Sequence, residues 1–150
     1  MERTYFRNVF LMALMSVALA GCGNEPLTMI VGTYTDECAS RGVYSYYFDQ
    51  EKGMLVGGDG GLFTEAPGAV SRVEMRNPSY LTLSADGKFV YAVSEVGDSL
   101  ASAVTLRLDS KTGAMQMLGS ELTDGKDPCY VSTNGKVVMT ANYSSGNVTE

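Results

Sequence analysis

The sequence predicts an all-β chain made of four-stranded antiparallel blades of a β-propeller. Three observations carry this. Glycine (17) and tyrosine (9) are abundant, and no segment after residue 21 sustains a helical period. Two different segments recur along the chain. Each recurrence holds a turn signal between two alternating strands, and a repeat of about 50 residues with four strands is the mark of a propeller blade.

The first unit opens with a strand over Thr28–Thr35, which aligns with the second strand of the complete unit and lacks an innermost strand before it. Val43 to Leu55 (VYSYYFDQEKGML) then matches Ala103 to Met115 (AVTLRLDSKTGAM) without a gap, with Asp49 over Asp109 and Gly53 over Gly113. In this D-x-x-x-G turn the Asp can accept from the turn backbone and the Gly can supply a positive φ. Asn77 to Glu95 (NPSYLTLSADGKFVYAVSE) likewise matches Asp127 to Tyr143 (DPCYVSTNGKVVMTANY). Pro78 falls over Pro128, Tyr80 over Tyr130, and Gly87-Lys88 over Gly135-Lys136 after a short deletion. Asp-Gly and Asn-Gly between alternating strands are strong hairpin signals. The middle unit is complete, with strands over Ser79–Ser84, Phe89–Glu95, Ala101–Asp109 and Ala114–Leu122. The third has its first two strands, and Gly146-Asn147-Val148 opens another. About two and a half blades result. A ring closes with roughly four to eight, so the sequence reads as the front part of a longer protein.

Ahead of the blades, Arg3 and Arg7 precede an apolar run from Val9 to Ala20, which ends in Leu19-Ala20-Gly21-Cys22. The run is short of the roughly 20 residues a spanning helix needs. Its layout is that of a secretory signal with a cysteine at the cleavage site, as in a bacterial lipobox. The expected organisation is a lipoprotein signal peptide over 1–21, a linker over 22–27 after a lipidated Cys22, and a partial propeller over 28–150. The product would be exported to the periplasm, outer membrane or cell envelope, with a membrane as partner through the lipid on Cys22. Sequons at Asn142 and Asn147 carry no weight in a bacterial chain.

The full chain has 11 basic and 17 acidic residues, and loss of Glu2, Arg3 and Arg7 with the signal leaves a net charge of −7. No basic cluster exists for a phosphate backbone, which argues against nucleic acid as a partner. There is no histidine, and Cys38 and Cys129 stand far apart. They could pair in an oxidising compartment or stay free, and their spacing is not a metal-ligand pattern. No metal and no cofactor is expected.

With VGTYT (Val31–Thr35), GVYSYYFD, NPSYLTLSADGKFVYAVSE, DPCYVS and TANYSSGNV in this order, residues 28 to 150 resemble the lactonase family of seven-bladed β-propellers, of the 6-phosphogluconolactonase and carboxymuconate cyclase type. The resemblance implies a hydrolase of carbohydrate metabolism that opens a sugar lactone. It also implies a full length more than twice this one, expected to be monomeric, so the fragment alone is expected to be inactive.

Such chemistry needs a base for water and donors for the oxyanion. In a meander blade, the loop before the first strand and the loop after the second open on one face. Asn77 and Glu95 flank one such pair, Asp127, Asn142 and Tyr143 the next, and Tyr34, Thr35 and Asp36 sit at the matching point of the first unit. Glu95 is the acid/base candidate, against the alternative of a structural ion pair. Asn77, Ser79, Tyr80, Asp127, Tyr130, Asn142 and Tyr143 are the candidate sugar contacts. For Asn77 and Asp127, each before a proline, a plain turn is an equal reading. Tyr130 stands where the family resemblance leads one to expect histidine, which weakens proton transfer there because tyrosine titrates near 10. Arg72, Arg76 and Lys126 are weighed as phosphate contacts against a solvated surface. The competing reading is a non-enzymatic propeller lipoprotein that binds glycan or protein through the same polar mouth.

Overall fold

The computed structural model describes residues 27–56 and 68–150. The signal peptide, Cys22 and all of the linker but Leu27 fall outside them. The described residues form eleven strands: β1 (Leu27–Val31), β2 (Gly42–Asp49), β3 (Met54–Val56), β4 (Ser71–Glu74), β5 (Leu81–Leu83), β6 (Phe89–Ser94), β7 (Ser102–Leu108), β8 (Met115–Leu122), β9 (Pro128–Thr133), β10 (Val138–Asn142) and β11 (Asn147–Thr149). They fall into three antiparallel sheets, the blades of the repeat.

Blade 2 is a meander in the order β5-β6-β7-β8, with each strand end within two residues of the sequence expectation. Its turns are local chemistry. Asp109 Oδ1 accepts from the N–H groups of Lys111 (3.0 Å) and Thr112 (3.2 Å), and Asp49 Oδ1 accepts from Glu51 and Lys52 (3.0 Å each). Gly113 (φ 68°) and Gly53 (φ 62°) close the two turns in the left-handed region that glycine enters without steric cost. Blade 3 contributes β9-β10-β11.

Blade 1 departs from expectation at two places. Its first strand ends at Val31, not Thr35. From Thr35 onward the backbone is held by a side chain instead of a neighbouring strand, because Asn77 accepts the N–H groups of Thr35 and Asp36. The second departure is β4, a strand the sequence pattern did not show. Its four residues pair with β2 through Gly42↔Glu74 to Ser45↔Ser71, while β3 pairs with β2 through Tyr47↔Val56 to Asp49↔Met54. β1 pairs along the opposite edge of β2. Thus β3 and β4 together form one outer strand, split by residues 57–70, with only Tyr46 of β2 between the two paired stretches.

Blades 1 and 2 pack face to face. Val43 and Val73 of blade 1 form one buried cluster with Val90, Val104, Leu106 and Leu108 of blade 2, with Ile30, Met75, Leu81 and Met115 at its margin. Polar ties fix the register at the outer side. Ser45 Oγ, fully buried, donates to the Gly113 carbonyl at 2.6 Å, and Thr28 and Tyr47 hydroxyls donate to the carbonyls of Ser110 and Thr112. β9 of blade 3 packs against β5 and β6.

At the inner side the two blades touch backbone to backbone. A Cβ on Gly32 would lie 2.0 Å from the Pro78 carbonyl oxygen. This close approach accounts for the glycine in VGTYT. Gly32→Ala in the full-length protein is expected to cost about 1–3 kcal/mol, as overpacking does. Gly119→Ala, on β8 where no atom lies within 4 Å of the added Cβ, serves as the control. Denaturant midpoints check it; equal midpoints for both variants would contradict the close approach.

Candidate functional site

The ends of the second strands and the starts of the inner strands meet at one edge of the packed blades. Asn77 and Asp127, repeat equivalents, have positive φ (40° and 52°), a region Asn and Asp tolerate better than most residues. Each turns the chain into an inner strand through a proline. The Asn77 carbonyl accepts from the Glu95 N–H (3.0 Å), and the Asp127 carbonyl accepts from the Tyr143 N–H (2.9 Å). Glu95 and Tyr143 are therefore matched positions, as are Ser79 and Cys129.

In blade 2 this scaffold carries a polar cluster. Ser79 Oγ donates to Glu95 Oε2 in a short hydrogen bond. Tyr34, three residues beyond the end of β1 in the neighbouring blade, lies near enough to the same carboxylate to feel it. Its pKa is raised above the usual tyrosine value, by desolvation first and then by hydrogen bonding to Glu95 and the Glu95 charge, with Ser79 opposing and Cys129 adding slightly. Glu95 is partly buried, and Tyr34 keeps 57 % of its surface exposed, so the group is open to solvent. A carboxylate oriented by hydroxyl donors, with lone pairs still facing water, can take a proton from a nucleophilic water.

The other candidates are distributed differently. Tyr80 and Tyr130 lie against each other with ring centroids 4.7 Å apart and planes tilted by 46°. Both remain about half exposed, so they line a surface together. Tyr143 is 81 % exposed at the position matching Glu95. Asn142, by contrast, is 2 % exposed, and its amide donates to Thr149 Oγ1 (2.9 Å) and Asn147 Oδ1 (3.4 Å). Asn77 is 5 % exposed with its amide fully engaged. Both asparagines sit behind the surface. The Asp127 carboxylate faces Gly97, where an added Cβ would be 3.3 Å away.

Of the basic candidates, Arg72 and Arg76 are matched to carboxylates, and Lys126 makes no ion pair among the described residues. Arg76 bridges Asp98 (3.0 Å) and Asp36 (3.5 Å), and Arg72 pairs with Glu74 (3.0 Å). Asp98 has its pKa lowered, first by the Leu100 N–H and then by Arg76. Cys38 and Cys129 are not joined to each other in this structure. Among the described residues, no group of three His, Cys, Asp or Glu is placed to hold a metal ion. A cavity of about 710 Å³ between the 39–44 and 68–72 segments lies away from Glu95. Among the described residues its walls offer no carboxylate, whereas the Ser79–Glu95–Tyr34 cluster does.

Sequence reasoning placed Tyr34 at the mouth but missed its contact with Glu95. That contact crosses between blades, and no local pattern reports it.

A sequence model of the seven-bladed β-propeller lactonases matches residues 28–150. The chain belongs to the lactonase family of seven-bladed β-propellers. It is 32 % identical over 120 residues to the 6-phosphogluconolactonase of Bacillus subtilis, covering 79 % of this chain and 31 % of that protein. Among solved structures, a Bacteroides uniformis protein, provisionally assigned as a 6-phosphogluconolactonase, shares 44 % identity with a TM-score of 0.71, over 83 % of this chain and 32 % of its own. The periplasmic gluconolactonase of Pseudomonas aeruginosa shares 30 % identity with a TM-score of 0.65, over 78 % and 31 %. The chain thus spans about a third of the length of the relatives it matches.

Glu95→Gln should lower the pKa of Tyr34 toward the ordinary value of about 10, because two of its upward causes vanish while desolvation and the smaller Cys129 contribution remain. Ultraviolet titration of the variant with and without Tyr34→Phe isolates this phenol. An unchanged titration would separate Tyr34 from Glu95.

Proposed function

We propose that the protein hydrolyses a sugar lactone and that Glu95 acts as its general base. The observation that carries the reading is the Glu95 carboxylate, held by Ser79 beside Tyr34 at the open edge of the blades in a chain of the lactonase family. A water oxygen attacks the ring ester carbonyl while Glu95 takes its proton. The tetrahedral intermediate then collapses, the bond from the carbonyl carbon to the ring oxygen breaks, and the proton passes to that oxygen. The product is the open-chain hydroxy acid. Tyr34, with its raised pKa, stays protonated at neutral pH and serves as a donor. Tyr80, Tyr130 and Tyr143 offer aromatic and hydroxyl surface to the polyhydroxylated ring, and Asp127 stands behind them as a turn residue.

An unphosphorylated lactone fits this part of the site better than a phosphorylated one. Arg72 and Arg76 are each paired with carboxylates, and a phosphate dianion would have to compete with Glu74, Asp36 and Asp98 for them. Export through a lipidated Cys22 agrees with this choice and has a named relative in the periplasmic gluconolactonase of P. aeruginosa.

Two measurements test the reading. With δ-gluconolactone as substrate, the full-length protein should turn over, and Glu95→Gln should lower kcat by about 10²–10⁴-fold. Rates equal to buffer for δ-gluconolactone and its 6-phosphate alike, with saturable glycan binding, would make the protein a binding lipoprotein instead. Separately, Cys22→Ser should move the protein from the membrane to the soluble fraction, and retention on the membrane would remove the lipid anchor.

A further inference from the structure

We propose that Asn77 is a positioning residue, the one that sets Tyr34 and Ser79 against Glu95, and that it does not itself touch substrate. The inference rests on the lactonase reading of the cluster. Its basis is the hydrogen bonding of this single residue. Asn77 Oδ1 accepts from the backbone N–H groups of Thr35 (2.9 Å) and Asp36 (3.2 Å), the residues that follow Tyr34, and from the Thr35 hydroxyl (3.2 Å). Its Nδ2 donates to Asp36 Oδ2 (2.9 Å) and to the Glu95 carbonyl (3.1 Å). Its own N–H donates to Thr35 Oγ1 (3.1 Å). Its carbonyl accepts from the N–H groups of Ser79 (2.8 Å) and Glu95 (3.0 Å). Ser79 and Glu95 are therefore fixed at their backbones through Asn77, and Tyr34 is fixed through the two residues that follow it, and at 5 % exposure Asn77 has little surface left for a ligand.

The repeat shows that this amide is not a requirement of the turn. Asp127 occupies the matching position with a similar positive φ and the same backbone bond to the residue after the second strand. A side chain with two acceptors satisfies the turn there. At Asn77 two donors are needed, because the groups facing Nδ2 are a carboxylate and a carbonyl. The surrounding charges are Asp36, Arg76 bridging it to Asp98, and the Glu95 carboxylate. A second carboxylate in this place would face Asp36 and the Glu95 carbonyl with no proton to offer either.

Asn77→Asp is the decisive variant, since the repeat shows that aspartate fits the backbone, and Asn77→Ala accompanies it. In the full-length protein, Asn77→Asp is expected to lower kcat for δ-gluconolactone by about 10–100-fold, the cost of a small misplacement of reacting groups, with KM nearly unchanged and a cooperative unfolding transition retained. In Asn77→Ala, which adds no charge beside the phenol, the raised pKa of Tyr34 should also relax toward the ordinary tyrosine value. An increase in KM with kcat preserved would make Asn77 a substrate contact and overturn the proposal. An unchanged Tyr34 titration would overturn it too. That titration needs no turnover, so it decides the role of Asn77 even if the protein opens no lactone, an outcome that would sink the function and leave the positioning claim to stand or fall by itself.

Discussion

The face-to-face packing of blade 1 on blade 2 is the contact on which the site depends. Tyr34 belongs to the first blade, Ser79 and Glu95 to the second. Their proximity is a property of the interface between sheets, not of either sheet alone. Val43 and Val73 against Val90, Val104, Leu106 and Leu108 supply the attraction, at roughly 1.5–3 kcal/mol for each such side chain taken from water. The exposed Arg76 bridges contribute little beside this, because solvent screens ion pairs at the surface. Their use is directional. Apolar faces hold the sheets together but let them slide, and hydrogen bonds at the two ends decide where they stop. At the outer end the turn from Asp109 to Gly113 receives Ser45 and Tyr47. At the inner end Asn77 receives the chain after Tyr34.

Comparison of blade 2 with blade 3 separates scaffold from chemistry. Both have the positive-φ residue before proline, the same backbone bond to the end of the second strand, and a small side chain after the proline. What differs is what the scaffold presents. Ser79 and Glu95 form a hydrogen-bonded acid in one copy, and Cys129 and Tyr143 stand unlinked in the other. Similar backbone geometry therefore carries a hydrogen-bonded Ser–Glu pair in one blade and a surface tyrosine in the next. Side chains at these two positions are free to vary because the backbone, not the side chains, holds the turn.

This division also explains how much was legible in the sequence. Asp49 and Asp109 announce their turns because each bonds the backbone two and three residues ahead. The strands of blade 2 followed from those turns and from alternation. β4 was invisible, since Ser71–Glu74 has two charged residues in four and gains its strand character only by pairing with β2, nearly thirty residues earlier. The end of β1 was misjudged for a similar reason. Thr35 looks like the last residue of an alternating run, and only the amide of Asn77, 42 residues away, takes its N–H out of the sheet. Glu95 could be singled out as a carboxylate at a strand end. That Asn77 and Asn142 would lie behind the surface could not, because burial at such positions is decided by what the next blade places in front of them.

The split outer strand has an evolutionary consequence. β3 and β4 pair along the same edge of β2 with one residue of β2 between them. A change in the number of residues between the two pieces shifts no strand register and moves no inner strand. The stretch between Val56 and Ser71 can therefore change in length while the Ser79–Glu95 pair stays in place. It is also where foreign sequence could be grafted into the propeller with least disturbance to its blades.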